Sequence, residues 1–380
     1  MFSLRPVKGS NFINREELLN DMTFDLINSL TGYALYGKRR VGKTSIFKEI
    51  QRKLEKEEDV VVVYFSVWDL MSNKLSSFIK EFTAEVLESY KHHLSLGYRA
   101  RNLLKAHISL LKDIIRKLNI NLKIKDTIEV LLSFDESEAN YDQLVEDCFN
   151  LPEKLAKETK TKCILLIDEF PSLMNLKDGQ KVGENLIRKI RTIHEDHEHV
   201  IICISGSIKH TMDMVTVDPA SPFYGQLIVK EIEPLEKKHV KELLLKNLSR
   251  ISPDAINEIY EFSAGIPFYV QFLGKIIERK KNITIDVVKD AEESFIKEEG
   301  DIIFKKDFDT LGSKEREVLI SLSQGSKTPS GIAKDIQDSA NAVSVYLRYL
   351  EEKGYISRKE KGQYEMDDPV FERWMKNRWG

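Results

Sequence analysis

Gly37-Lys38-Arg39-Arg40-Val41-Gly42-Lys43-Thr44 fits the phosphate-loop pattern G-x-x-x-x-G-K-[ST] without a mismatch. The residues before it, Tyr33-Ala34-Leu35-Tyr36, read as a short buried strand. The residues after it, Ser45-Ile46-Phe47-Lys48-Glu49-Ile50, read as an opening helix. Strand, glycine loop and helix are the context the motif needs. Successive backbone N–H groups then point into one concavity that takes phosphate oxygens. Gly37 and Gly42 permit a close backbone approach that a Cβ would block. The helix N-terminus adds its partial positive charge. Lys43 is placed to reach the outer phosphates, and the Thr44 hydroxyl to ligate Mg²⁺.

Cys163-Ile164-Leu165-Leu166-Ile167-Asp168-Glu169 is the second anchor. A buried apolar strand that ends in two adjacent carboxylates is costly unless they have a partner or a task. The phosphate loop supplies the task. Asp168 is expected to hold the Mg²⁺ shell through Thr44 and water, and Glu169 to orient or deprotonate an attacking water. The plain alternative is a strand that runs out into solvent. Val200-Ile201-Ile202-Cys203-Ile204-Ser205-Gly206-Ser207 is another buried strand ending in small polar residues. A hydroxyl there either faces the outer phosphate or belongs to an ordinary turn.

The chain has 380 residues, room for two or three domains. Charged residues make up 31%, above the usual quarter, and hydrophobic residues 42%. A net charge of −3 excludes a globally basic coat for nucleic acid, though not a local patch. The first ten residues lack the apolar core of a secretory signal. The longest apolar run, residues 60–65, is too short to span a bilayer. Cys148, Cys163 and Cys203 show no metal-site spacing and read as reduced core thiols of a cytoplasmic protein with no membrane contact.

Leu18, Leu19, Met22, Leu26, Ile27 and Leu30 lie at helix spacing, with Asn14 as the expected N-cap. The Phe12–Arg15 turn before them either only opens that helix or meets the base of a nucleotide. Residues 60–66 read as a strand buried on both faces, with Asp69 just beyond. Residues 72–119 read as helical. Ile120, Leu122 and Ile124, then Ile128, Val130 and Leu132, alternate and predict a β-hairpin over 120–134. Residues 144–157 return to a helix. Arg188, Lys189 and Arg191 lie on a basic helix that is either a solvated face or a donor to a neighbouring subunit's nucleotide. His194, His197 and His199 read as surface loop. Residues 226–232 give a further strand, for a sheet of at least five.

From Pro234 the sequence becomes charged and helix-rich, as in a small lid. A third unit follows. Ser313, Thr328-Pro329 and Ser339 start three short helices, Gly354 ends the third, and two short strands flank Gly362. This predicts a winged helix-turn-helix. Val343, Leu347 and Leu350 form its buried stripe, while Asn341, Ser344 and Arg348 share the face that would meet bases. Arg358, Lys359 and Lys361 add charge on the wing. Yet residues 311–380 hold 12 lysines and arginines against 11 acids, a thin footprint for DNA. A winged helix that packs on its own core or on a protein partner is the alternative. Asp367-Asp368-Pro369 leads into a last helix, and Trp379 is expected to be loose.

The chain resembles the archaeal phosphate-loop ATPases of the STAND class, relatives of the AAA+ proteins. The carriers are the Phe12–Leu18 turn, residues 37–45, Leu166-Ile167-Asp168-Glu169-Phe170, Ser205-Gly206-Ser207, Gly265-Ile266-Pro267 and the winged helix ending in Asp368-Pro369. The resemblance implies an α/β phosphate-loop core over residues 1–233 with an insertion at about 72–158, a helical lid over 234–305 and a winged helix over 306–380. It implies ATP as the nucleotide and Pro267 beside the adenine. Lys38, Arg39, Arg40, Val41, Ser45, Phe12, Arg15 and Ser207 join the loop residues already named as expected contacts to ATP or ADP. Tyr224-Gly225-Gln226 departs from the family's common Tyr-Gly-Arg, which puts fast turnover in doubt. No second catalytic domain is expected. The leading expectation is a slow ATPase switch that moves its winged helix. The rival is a regulator of double-stranded DNA, of replication-initiator type, with structural nucleotide. A third reading is a scaffold for a protein client that assembles into a nucleotide-dependent homo-oligomer.

Overall fold

The computed structural model describes residues 2–379 apart from 8, 10, 11, 97–99, 106, 179, 208, 360 and 361. Five parallel strands form the central sheet: β1 (Gly32–Tyr36), β2 (Val60–Ser66), β3 (Lys162–Asp168), β4 (Val200–Gly206) and β5 (Leu227–Glu231). Their order is β2-β3-β4-β1-β5. Helices on both faces explain why β3 and β4 are apolar at nearly every position. Alternation still decides which helix each side chain meets. Val60, Val62, Ile164, Leu166, Ile201 and Cys203 turn to α1 (Glu16–Asn28) and α2 (Lys43–Leu54). Val61, Val63, Phe65, Leu165, Ile167, Ile202 and Ile204 turn to the larger core under α3 (Leu75–Ser89), α6 (Tyr141–Thr159) and α7 (Gly183–Glu195). Cys148, Cys163 and Cys203 are free and buried, and burial pushes each thiol up to about 12.

The expected hairpin is a helix. The described residues of 72–134 fold as α3, a short 3-10 segment (Ala100–Lys105), α4 (Ile108–Arg116) and α5 (Leu122–Ser133). The alternation over 120–134 is accidental. Ile124, Ile128, Leu131 and Leu132 are buried at helix spacing, whereas Leu122 and Val130 are 70% and 50% exposed. The Asn121 carboxamide caps α5 on Lys123 N–H. Asn14 is not a helix cap. Asn14 and Arg15 both take positive φ, 67° and 73°, and α1 starts at Glu16 without a side-chain cap. Asn14 Oδ1 instead accepts from Arg15 N at 2.6 Å.

Beyond the sheet, α9 (Lys237–Asn247), α10 (Pro253–Ser263), α11 (Pro267–Ile277) and α12 (Ile285–Ser294) form the lid. The run continues through π-helical turns, Phe295–Glu299 and Asp301–Lys305, into α13 (Lys306–Asp309). Then come α14 (Ser313–Ser323), α15 (Pro329–Asp335), α16 (Ala340–Glu352), the wing strands Ile356–Arg358 and Tyr364–Met366, and α17 (Pro369–Trp379). Gly312, not Ser313, is the cap position of α14. Thr328 and Ser339 do cap α15 and α16. Lid and winged helix share one apolar core. Phe304 stacks on Phe371 at 5.1 Å, and Phe308 meets Trp379 at 4.7 Å, so Trp379 is packed rather than loose. Lys361, expected on the wing, lies outside the described residues. Among the described residues, no helix is long and apolar enough to cross a membrane.

Helix and hairpin make opposite forecasts for two neighbouring apolar residues. Ile128→Ala is expected to lower the unfolding free energy by about 2–5 kcal/mol in urea titrations. Val130→Ala is expected to change it by no more than about 0.5 kcal/mol. Equal losses would return the segment to strand.

Candidate functional site

The site forms at the carboxyl ends of β1, β3 and β4. The same alternation that buries Leu166, Val62 and Cys203 against α2 carries Asp168, Tyr64 and Ser205 to that face. Asp168 is only 4% exposed. Its carboxylate accepts from Thr44 Oγ1 at 2.6 Å and from Tyr64 OH at 2.9 Å, and from the Ser205 hydroxyl. The two sequence anchors therefore touch. A hydroxyl and a carboxylate this close form a hard oxygen pair of the kind Mg²⁺ takes alongside phosphates.

Glu169 leaves the strand in a left-handed turn, φ 54°. Its carboxylate accepts from Ser207 Oγ at 2.7 Å and Ser207 N at 3.2 Å. Burial raises its proton affinity above the usual carboxylate range, against the Lys43 ammonium and the Ser207 bonds. Lys43 is 5% exposed, and burial lowers its ammonium to about 8, against the pull of Glu169 and Asp168. It donates to the carbonyls of Gly37 at 2.8 Å and Lys38 at 3.1 Å. Gly37 has φ 152°, and a Cβ there would lie 2.3 Å from the Ile232 carbonyl. Gly42 (φ 98°) starts α2 with no side-chain cap, leaving the first-turn N–H groups free of intrahelical acceptors. A cleft of ≈ 470 Å³ opens above Gly42, Lys43, Thr44 and Ser45, with Glu169 and Pro267 on its walls.

Other expected contacts separate into two groups. Phe12, Arg15, Val41, Ser45 and Pro267 line a small apolar slot of ≈ 40 Å³ behind the loop. Within it, Arg15 is a brace. Its guanidinium donates to Val41 O at 2.8 Å and Glu233 O at 2.9 Å, and burial lowers it to about 10. Lys38, Arg39 and Arg40 pair with the C-terminal unit, and Arg39 and Arg40 also line the ≈ 470 Å³ cleft. Lys38 Nζ meets the Asp367 carbonyl at 3.1 Å, Arg39 meets Asp307 at 3.3 Å, and Arg40 meets Asp368 at 3.0 Å. Arg40 also lies over the rings of Phe268, Tyr269 and Phe304. A second cavity, ≈ 630 Å³, lies beyond these contacts against the wing and α16.

Sequence reasoning passed over Tyr64. The period of the β2 run, Val60, Val62, Tyr64, was the available signal. Asp69, just beyond β2, is exposed. Gln226 donates to Glu195 at 3.0 Å. Arg191 pairs with the same carboxylate at 2.6 Å, an ordinary intrahelical contact. His197 is buried against Asn150, not loose on the surface. Glu153, Glu198 and His199 come together, yet Lys157 lies 3.2 and 3.3 Å from the two carboxylates and already compensates their charge.

A model of the ATPase domain found predominantly in Archaea matches residues 12–273. The chain belongs to this family. It shares its fold with a Walker-type ATPase of Pyrococcus abyssi, at 18% identity over 99% of each chain and a TM-score of 0.71. It is also similar to the ORC2 protein of Aeropyrum pernix, solved with ADPNP and ADP, at 11% identity over 97% of this chain and 96% of that one, TM-score 0.56. The ORC1 protein of the same organism, solved with DNA, gives 14% identity over 99% and 94%, TM-score 0.51. No curated protein sequence matches it significantly. These likenesses place the α/β sheet of this chain in the phosphate-loop NTPase fold.

The raised Glu169 carboxyl fixes the sign of a stability effect. The folded state holds this proton more tightly than the unfolded chain. The stabilisation is complete below the unfolded value and is lost as pH rises through the folded one. Glu169→Gln is therefore expected to melt higher than the wild type at pH 7, with a gain that shrinks as the buffer is acidified. A gain independent of pH would remove the titration as its cause.

Proposed function

We propose that the chain binds ATP or ADP with Mg²⁺ above the phosphate loop, hydrolyses ATP slowly, and uses the nucleotide state to hold or free its winged helix. The observation that carries this reading is where the loop's three consecutive cations go. Lys38, Arg39 and Arg40 each meet a carboxylate residue of the C-terminal unit, so the loop that cradles phosphates is also the loop that holds this unit. Asp368 has two tasks. One oxygen accepts from Val370 N and Phe371 N and caps α17, while the other takes Arg40 and the Tyr269 hydroxyl.

The residues suit their ligands. Thr44 and Asp168 would hold Mg²⁺, which when bound spreads the negative charge of the phosphates. The uncapped N–H groups of α2 and the Lys43 ammonium would take phosphate oxygens. Glu169, with its raised proton affinity, suits a base that orients a water and receives its proton, and Ser207 fixes the carboxylate meanwhile. Phe12 and Pro267 on the apolar slot suit an adenine ring.

Partly exposed ion pairs are each worth about 0.2–1 kcal/mol. Three of them make a contact of the size that a ligand's differential affinity, typically about 1–3 kcal/mol, can overturn. Duplex DNA as a partner is a second reading, favoured by exposed Asn341 and Ser344 on α16. Arg348 on the same helix is exposed as well, at the edge of the cavity that faces the core.

Steady-state hydrolysis and small-angle scattering test the proposal together. Glu169→Gln is expected to slow hydrolysis at least about 10²-fold with nucleotide affinity retained. Asp368→Asn keeps the α17 cap but drops the charge facing Arg40, and is expected to give without ATP the expanded envelope that the wild type adopts only with it. Equal turnover in wild type and Glu169→Gln removes the base. A wild-type envelope unmoved by nucleotide removes the switch.

A further inference from the structure

Residues 2–7 and Gly9 lie between the lid and the phosphate-loop helix along the cleft, and each end is anchored. The Phe2 ring is 4% exposed and seated against α11. A Cβ on Gly274, inside that helix, would lie 2.3 Å from the ring. Glycine inside a helix costs roughly 0.5–1 kcal/mol relative to alanine, and the close approach of Phe2 accounts for it here. Ser3 N donates to the buried Gln271 carboxamide at 3.0 Å. At the other end Val7 N donates to Ser45 Oγ at 3.2 Å, and Gly9 N to the buried Glu49 carboxylate at 2.6 Å. Residues 3–7 form one wall of the ≈ 470 Å³ cleft.

Behind this wall lies the apolar slot that holds Phe12, Val41 and Pro267. Its ≈ 40 Å³ is well below the roughly 150 Å³ of a cavity that takes a single benzene ring. A purine enters only if a wall moves. Val41 and Leu235 belong to packed cores and cannot yield cheaply. Val7 and Gln271 belong to the strap and to the helix face it is pinned to, and both line the slot.

We propose that residues 2–7 are a strap that gates nucleotide exchange: it must part from α11 for the base to enter the slot, and its reseating on Gly274 and Gln271 retains the bound nucleotide. This rests on the reading that the cleft takes a nucleotide. Release then depends on how firmly Phe2 is held, a contact remote from every phosphate ligand.

The test is stopped-flow displacement of a fluorescent ADP analogue by excess ATP from the full chain, in wild type, Phe2→Ala and Gly274→Ala. Both variants are expected to release the analogue about tenfold faster than wild type, since changes of affinity within one site appear mainly as off-rates. Gly274→Ala dislodges the ring from the opposite side while favouring the helix, so a thermal melt no lower than wild type separates a freed strap from a damaged lid. Release at the wild-type rate from a folded Gly274→Ala overturns the strap with the nucleotide reading intact. Absence of any binding by wild type overturns both.

Discussion

The arrangement depends on a buried charge. Asp168 sits at the end of an apolar strand, almost wholly out of water, where an unpaired carboxylate would be prohibitively costly. Three hydroxyls answer it, from Thr44 on α2, Tyr64 on β2 and Ser205 on β4. None of them is charged. The site stays electronegative and is bounded by the Lys43 ammonium, so it is ready for a cation and a polyanion together. The Thr44 bond ties the phosphate-loop helix to the middle of the sheet, and the Tyr64 and Ser205 bonds fix the carboxylate that receives it.

From that fixed point the loop faces two ways. Lys43, Arg39 and Arg40 line the cleft, while Lys38, Arg39 and Arg40 pair with the C-terminal unit. A short loop cannot rearrange one set without moving the other, because the two sets share one stretch of backbone. The Asp367-Asp368-Pro369 step gives the far side of the contact equal economy. Pro369 occupies the first turn of α17, where its missing N–H costs nothing, and Asp368 serves helix and loop at once.

Several parts of this were legible in the residues. The loop, the acidic pair and the serines at the end of β4 could be read because each sits where a long apolar run stops, and buried polar groups at such places need a partner. The winged helix was legible from its caps, since Thr328 and Ser339 mark helix starts by chemistry that is local. Where a pattern was short, it misled. Residues 120–134 alternate by accident over a few positions, and burial against α3 and α6 chose the helical period instead. Asn14 lies one position before the cap position, Arg15, and its carboxamide is engaged by the Arg15 N–H.

The sequence by itself determined what depends on neighbours along the chain: the phosphate loop, the strands that end in charge, the capped helices and the class of fold they build. Tertiary structure alone decided which hydroxyls meet Asp168, that Arg15 braces the loop from behind, and that the loop's cations belong to carboxylates some 270–330 residues away. It also decided that residues 2–7 bridge lid and core. The physical reason is range. Caps and periodicity are written within a turn or two of helix, whereas an ion pair or a buried ring finds its partner only once the apolar cores have fixed where the surfaces meet.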